Sequence, residues 1–219
     1  MECANGFAAT HAGARNGAGA FAEPPGGFFL RQNLFKYHAA CYMTHAAANA
    51  ITETMEANAL SPDAVERIIV TADQSLNSVC NIPNPDTGLG MKFSLRTVAA
   101  LSMLGRDTSR LSSFTDNAAA DPAIAQAREK VEVQLADVRP ITRTVIRLIA
   151  RGGRAIEAEH DSGKPETDLG LQKARLQGKF MALAGEVLGA ARAGELLGFI
   201  ETLETRADIG GMMRLAAKG

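Results

Sequence analysis

The sequence predicts an α+β fold: a small, mainly antiparallel sheet covered by helices and followed by C-terminal helices. Three observations predict it. Apolar residues recur at helical spacing over residues 44–58 and 91–104, four short stretches read as strands, two of them by alternation, and helical spacing returns over roughly 168–205. Helices, then strands, then helices, with no repeating βα unit and no internal repeat, favour α+β over a doubly wound sheet.

Each element has its own justification. Residues 1–30 are rich in Gly and Ala, and Pro24-Pro25-Gly26-Gly27 reads as a loop. This stretch is expected to be an arm or the remnant of a preceding helical domain, with at most a short helix around Ala8–Ala14. From Thr44 to Asn58, Ala47, Ala50, Ile51 and Met55 mark one helix face. Ser61 and Pro62 look like an N-cap and first helical residue. That helix must be very short, because Val65 to Thr71 reads as a strand. Pro83, Pro85, Gly88 and Gly90 predict a loop over residues 80–90.

One continuous helix is expected from Lys92 to Leu104, stopped by Gly105. Asp121 should cap a short helix to about Arg128. Val131, Val133 and Leu135 alternate with Glu132 and Gln134, as in a half-buried strand. Thr144, Ile146, Leu148 and Ala150 alternate in the same way with Arg143, Val145, Arg147 and Ile149. Gly152-Gly153 then supply the positive φ values of a hairpin turn. The expected strands are 65–72, 130–136, 143–150 and 154–160. After Ser162-Gly163-Lys164-Pro165, Leu169, Leu176, Phe180 and Leu183 begin the C-terminal helices. The expected organisation is an arm over 1–30, an α+β lid-like domain over 31–165, and a helical segment over 166–219 that packs on it or on a partner.

Composition excludes several roles. A net charge of −1 gives no electrostatic reason for nucleic acid or an anionic membrane as partner. No apolar run is long enough to span a bilayer, and the first residues lack a signal-peptide pattern. Cys3, Cys41 and Cys80 are odd in number and far apart, which is no disulfide framework, so the cytoplasm is the expected compartment. With no Trp and two Tyr, the chain lacks a stacking platform for bases or sugars. Phosphate-loop, dinucleotide, nucleophile-elbow, zinc-helix and paired-CxxC signatures are all absent.

What remains is Lys36-Tyr37-His38-Ala39-Ala40-Cys41-Tyr42-Met43-Thr44-His45, and later Thr87-Gly88-Leu89-Gly90-Met91-Lys92-Phe93-Ser94-Leu95-Arg96. With the Gly152-Gly153 hairpin and the Ser162–Pro165 turn, in that order over about residues 30–185, the chain resembles the MmgE/PrpD family of dehydratases, decarboxylases and epimerases. The resemblance implies the second half of a protein about twice this length. In that family a large helical domain precedes a smaller α+β domain, and the active site lies between the two.

The same resemblance places Lys36 at a substrate-facing lysine, Cys41 at a position held by Cys or His, and Lys92 at the lysine of a KFSL segment. His45 and Arg96 are weaker neighbours, and His38 is not securely matched. The implied site is catalytic at Cys41, His45 and Lys92 and substrate-binding at Lys36 and Arg96, with no cofactor and no metal. A metal site of His38, Cys41 and His45 would have a nonstandard spacing.

Lysines suit such substrates, because ammonium groups replace the hydration that a di- or tricarboxylate loses in a cleft. If the segment is helical, Cys41 and His45 share one face and can cooperate in moving a proton. Each residue also has a bland reading: Lys36, Lys92 and Arg96 as solvated surface charges, Cys41 as core, His45 as a helix-start residue. His160 beside Asp161 reads as a strand end.

The expected function is a cofactor-independent lyase or isomerase of a small carboxylate or related carbonyl compound. The alternatives are a noncatalytic binding or assembly domain, or one subunit of a split enzyme. The expected partners are a small anionic metabolite and either a second copy of the chain or a separate helical subunit.

Overall fold

A computed structural model describes residues 22–24 and 26–217. Cys3 and the proposed helix at Ala8–Ala14 lie outside the described residues. Contacts divide the chain into Met1–Asn33 and Leu34–Gly219. Within the first unit, Phe29–Gln32 form a single 3-10 turn, and Phe28, Phe29 and Leu30 are exposed.

The second unit is α+β. Helix α1 is His45–Ala57, strand β1 is Val65–Asp73, and α2 and α3 are Gly88–Lys92 and Leu95–Met103. Next come α4 (Asp116–Ala119), α5 (Pro122–Glu129), β2 (Val131–Ala136), β3 (Arg143–Ala150) and β4 (Ala155–Asp161). Helices α6 (Leu169–Leu188), α7 (Ala190–Glu201) and α8 (Gly210–Ala216) complete the described residues. No described helix is long and apolar enough to cross a membrane.

The sheet order is β2-β1-β3-β4. β1 pairs with β2 in parallel and with β3 antiparallel, and β3 pairs with β4 antiparallel. All four expected strands are present within a residue or so of their expected ends, because alternation dictates which side chains leave water. On β3 the buried set is Thr144, Ile146, Leu148 and Ala150. Ile146 lies opposite Val70 and Leu148 opposite Ile68, so β1 and β3 present one apolar face. That face meets Ile51 and Met55 of α1 and Leu95, Ala99 and Met103 of α3. Arg147 on the opposite face stays exposed, as a one-sided sheet requires.

Several expectations need correction. The continuous helix from Lys92 is instead two helices, broken at Phe93-Ser94. Ser94 caps the second of them, its hydroxyl accepting from the Thr97 amide at 3.2 Å. Lys92 therefore ends α2, and Arg96 begins a different helix, so the two do not line one helix face. The expected loop over 80–90 ends early, because Thr87 caps α2 and Gly88 opens it. Ser61 sits at the N-cap position but makes no side-chain capping bond, and Pro62–Ala64 form only a 3-10 turn. Cys41 precedes the helix that His45 starts, with the 3-10 turn Tyr42–Thr44 between them, which removes the premise of a shared helix face. Helix α8 lies beyond the helices expected over roughly 168–205, inside the helical segment expected over 166–219.

Two glycines are dictated by close approach. A Cβ on Gly88 would lie 2.2 Å from the Phe114 carbonyl oxygen, and one on Gly163 would lie 2.3 Å from the Thr142 hydroxyl.

Candidate functional site

Segment 36–45 enters α1 under tight control. The Cys41 amide donates to the Lys92 carbonyl at 2.9 Å, which ties the two motif segments together through the backbone. The Ala39 amide donates to the Thr108 carbonyl at 2.8 Å. Together these bonds fix the chain between α2 and the loop after α3, and so fix where the side chains of 37–45 point.

A cleft of about 590 Å³ opens beside this segment. Tyr37 and His38 form one wall, Asn49, Thr52 and Glu53 of α1 another, and Arg106–Ser109 a third. Helix α6 closes it with Leu171, Arg175, Gly178 and Lys179, which follow one another at helical spacing. The Arg175 guanidinium stacks 4.0 Å from the centre of the Tyr37 ring. The Lys179 ammonium donates to the Ser109 carbonyl at 2.8 Å.

His38 is held at both ring nitrogens. Nδ1 lies 2.6 Å from the Thr108 hydroxyl and Nε2 lies 2.9 Å from Asn49 Oδ1. Asn49 Nδ2 continues to His160 Nε2 at 3.1 Å, and His160 Nδ1 faces Glu53 at 3.4 Å. Burial, with the positive charges of Arg175 and Lys179, holds the His38 imidazole below its ordinary value.

His45 lies directly behind. Its ring meets His38 edge-on at 4.7 Å and Tyr42 at 4.8 Å between centroids. It is 2% exposed, and its Nε2 has no hydrogen-bond partner. Burial, then the neighbouring His38, push its pKa down to about 3, with Lys36 and Lys179 acting in the same direction. Both rings are therefore neutral in the folded protein at ordinary pH.

That neutrality has a measurable cost. Unfolded imidazoles titrate at about 6.5, so below that pH the unfolded chain binds protons the folded chain refuses. Stability is fully present above about pH 6.5 and is lost as pH falls toward the folded values, by up to about 1.4 kcal/mol per pH unit for each ring. The urea midpoint should fall between pH 7 and pH 5, and His45→Gln should flatten that slope. An unchanged midpoint over this range would remove the claim.

The other candidates are placed unevenly. Lys36 is exposed, Lys92 half-buried, and neither lines the cleft. Yet their charges reach it: burial first, then Lys36, then Lys92 hold Lys179 below its ordinary value, while Asp107 opposes them. Cys41 packs against the core near Cys80, whose thiol is pushed up to about 12 by burial and by Cys41. Arg96 donates to Asn81 Oδ1 at 2.7 Å and so pins the loop before α2. His38, Cys41 and His45 do not form a metal cluster, and no described group of three His, Cys, Asp or Glu does so.

Residues 38–205 match the model of the MmgE/PrpD C-terminal domain. The match covers well over half of the sequence. The chain belongs to the MmgE/PrpD family. No curated protein matches it. In this MmgE/PrpD domain, the Lys36–His45 segment supplies one wall of the cleft through Tyr37 and His38 and backs it with His45. The sequence alone missed Asn49, Thr108, Arg175 and Lys179. Arg175 and Lys179 carried only a faint signal, two cations one turn apart in a polar first half of α6 that also holds Lys173. Asn49 and Thr108 carried none.

Proposed function

We propose that this MmgE/PrpD domain is a cofactor-independent lyase or isomerase that binds a small di- or tricarboxylate in the cleft between α1 and α6. The observation that supports the reading best is geometric: Arg175 and Lys179, one turn apart on α6, both line the cleft. Burial holds the Lys179 ammonium below its ordinary value with Asp107 opposing, and a carboxylate entering beside it would favour the charged form.

In this reading Lys179 and Arg175 receive the carboxylates, while Lys36 and Lys92 add positive potential. A proton leaves the carbon beside a carboxylate, the C–H electron pair moves into an enolate, and the cations stabilise its charge. The Thr108 oxygen receives that proton as its own hydroxyl hydrogen passes to Nδ1 of the neutral His38 across 2.6 Å, so His38 is the base through Thr108. His45 orients the His38 ring from behind.

The test is solvent exchange. Purified full-length chain is incubated in D2O with citrate-like and unsaturated dicarboxylates, and deuterium at the carbon beside the carboxylate is read by mass spectrometry. Incorporation that His38→Gln abolishes is the expected result. A ligand that binds without exchanging any hydrogen would replace the enzyme reading with a binding domain.

A further inference from the structure

With the Asn49 amide oriented as it is, the chain of contacts admits one placement of protons. Asn49 Oδ1 can only accept, so His38 must carry its hydrogen on Nε2, across 2.9 Å. The neutral ring then has its lone pair on Nδ1, which accepts the Thr108 hydroxyl at 2.6 Å. At the other end of the amide, Nδ2 can only donate. His160 Nε2 must therefore accept at 3.1 Å, and its hydrogen sits on Nδ1 toward Glu53. The direction runs unbroken from Thr108 through His38 and Asn49 to His160. His160 does not line the cleft, whereas Thr108, His38 and Asn49 do.

A second proton on His160 breaks this arrangement. The imidazolium carries hydrogen on both nitrogens, so its Nε2–H would point at the Asn49 NH2 group, donor against donor. Turning the Asn49 amide by half a revolution restores the bond, with Oδ1 now accepting from His160. The amide NH2 then faces His38 Nε2, which must accept, and the hydrogen of His38 has to reside on Nδ1. Nδ1–H donates to the Thr108 oxygen, and the Thr108 hydroxyl hydrogen is released toward the cleft.

We propose that Asn49 is a two-position switch through which protonation of His160 sets the tautomer of His38 and turns Thr108 from a hydrogen-bond acceptor into a donor toward the cleft. No proton crosses the amide, which transmits only orientation: His38 gives its Nε2 proton to solvent and takes one at Nδ1 through the Thr108 hydroxyl, which is replenished from water in the cleft. The acid form offers a hydroxyl hydrogen to a carboxylate, while the neutral form offers only oxygen lone pairs. The consequence for ligands rests on the cleft being a carboxylate site, whereas the switch itself does not.

The charged groups around it are few. Glu53 Oε1 of α1 lies 3.4 Å from His160 Nδ1, and Asp161 follows His160 on β4. His38 is faced by Arg175 and Lys179 from α6, His45 from α1 and His160 from β4. Burial and these cations hold His38 below its ordinary value.

The experiment is a titration of the full chain, labelled with 15N-histidine and free of ligand, followed by long-range 1H–15N correlation. At high pH, His38 is expected as the Nε2–H tautomer. As both His160 nitrogens become protonated, His38 Nδ1 should move from its pyridine-like to its pyrrole-like position, with the same midpoint. In Asn49→Asp the side chain can only accept, so His38 should remain Nε2–H while His160 still titrates. His160→Gln should leave the His38 tautomer independent of pH.

A His38 tautomer that does not change as wild-type His160 protonates would overturn the proposal, and so would Nδ1–H at high pH. The wild-type titration decides the matter even if a variant fails to fold. Because the readout needs no substrate, loss of the carboxylate reading and loss of the switch are separate results.

Discussion

Replacing Lys179 by methionine is expected to raise the dissociation constant of a small dicarboxylate about 10- to 100-fold, the worth of one hydrogen bond to a charged group. Methionine matches the length of the Lys179 stem, so the loss falls on the ammonium. That ammonium now holds the Ser109 carbonyl at 2.8 Å and shares the cleft with Arg175. Burial and two neighbouring lysines already disfavour its charge, and an incoming carboxylate would restore it. Lys179→Arg should recover part of the affinity. Lys173→Met is the control: Lys173 lies on the same helix but pairs with Glu201 at 3.0 Å and lines no part of the cleft. Calorimetric titration with citrate reads the difference. Equal affinities for wild type and Lys179→Met would remove Lys179 from the site.

Gly88→Ala should be the most damaging conservative change available to the stability of the domain. In most helices the substitution helps by up to about 1 kcal/mol. Here the new Cβ would sit 2.2 Å from the Phe114 oxygen, 2.7 Å from its carbonyl carbon and 2.8 Å from Thr115 Cα. All three are backbone atoms, so no rotamer relieves the overlap, and α2 must move away from 114–115. The Gly88 amide then loses its 2.8 Å bond to the Asp116 carboxylate, and the buried Met91 and Phe114 lose their fit. Overpacking and the lost bond together cost about 2–4 kcal/mol, a fall in melting temperature of roughly 5–15 °C. Gly185 supplies the opposite sign. It lies within α6 with nothing inside 4 Å of an added Cβ, so Gly185→Ala should raise the melting temperature. If both alanines shift it in the same direction, close approach is not what selects glycine at 88.

Much of the fold could be read from the residues in advance, for reasons visible in particular elements. β3 alternates cleanly because one face meets α1 and the other meets water, and Gly152-Gly153 turn it into β4 with φ values of 89° and 84°. The helix break at Ser94 was hidden because Met91, Leu95, Val98 and Leu101 keep helical spacing straight across it. A capping hydroxyl looks the same in sequence whether or not it is used; Ser94 is used and Ser61 is not.

The site was half legible. The segment 36–45 was found through its resemblance, but its helix-face logic failed because Cys41 lies outside α1. The cations on α6 and the amide of Asn49 acquire meaning only from tertiary neighbours, which no spacing rule supplies.

Those neighbours are distant along the chain. Thr108 meets His38 across 70 residues, Lys179 meets Ser109 across 70, and His160 meets Asn49 across 111. A molecule held in the cleft therefore acts as a cross-link between parts of the chain that nothing local keeps together. Its binding free energy opposes unfolding of the domain as a whole, growing with the logarithm of its concentration above the dissociation constant. Occupancy should thus register as slower amide exchange in β1 and β3, far from the ligand itself.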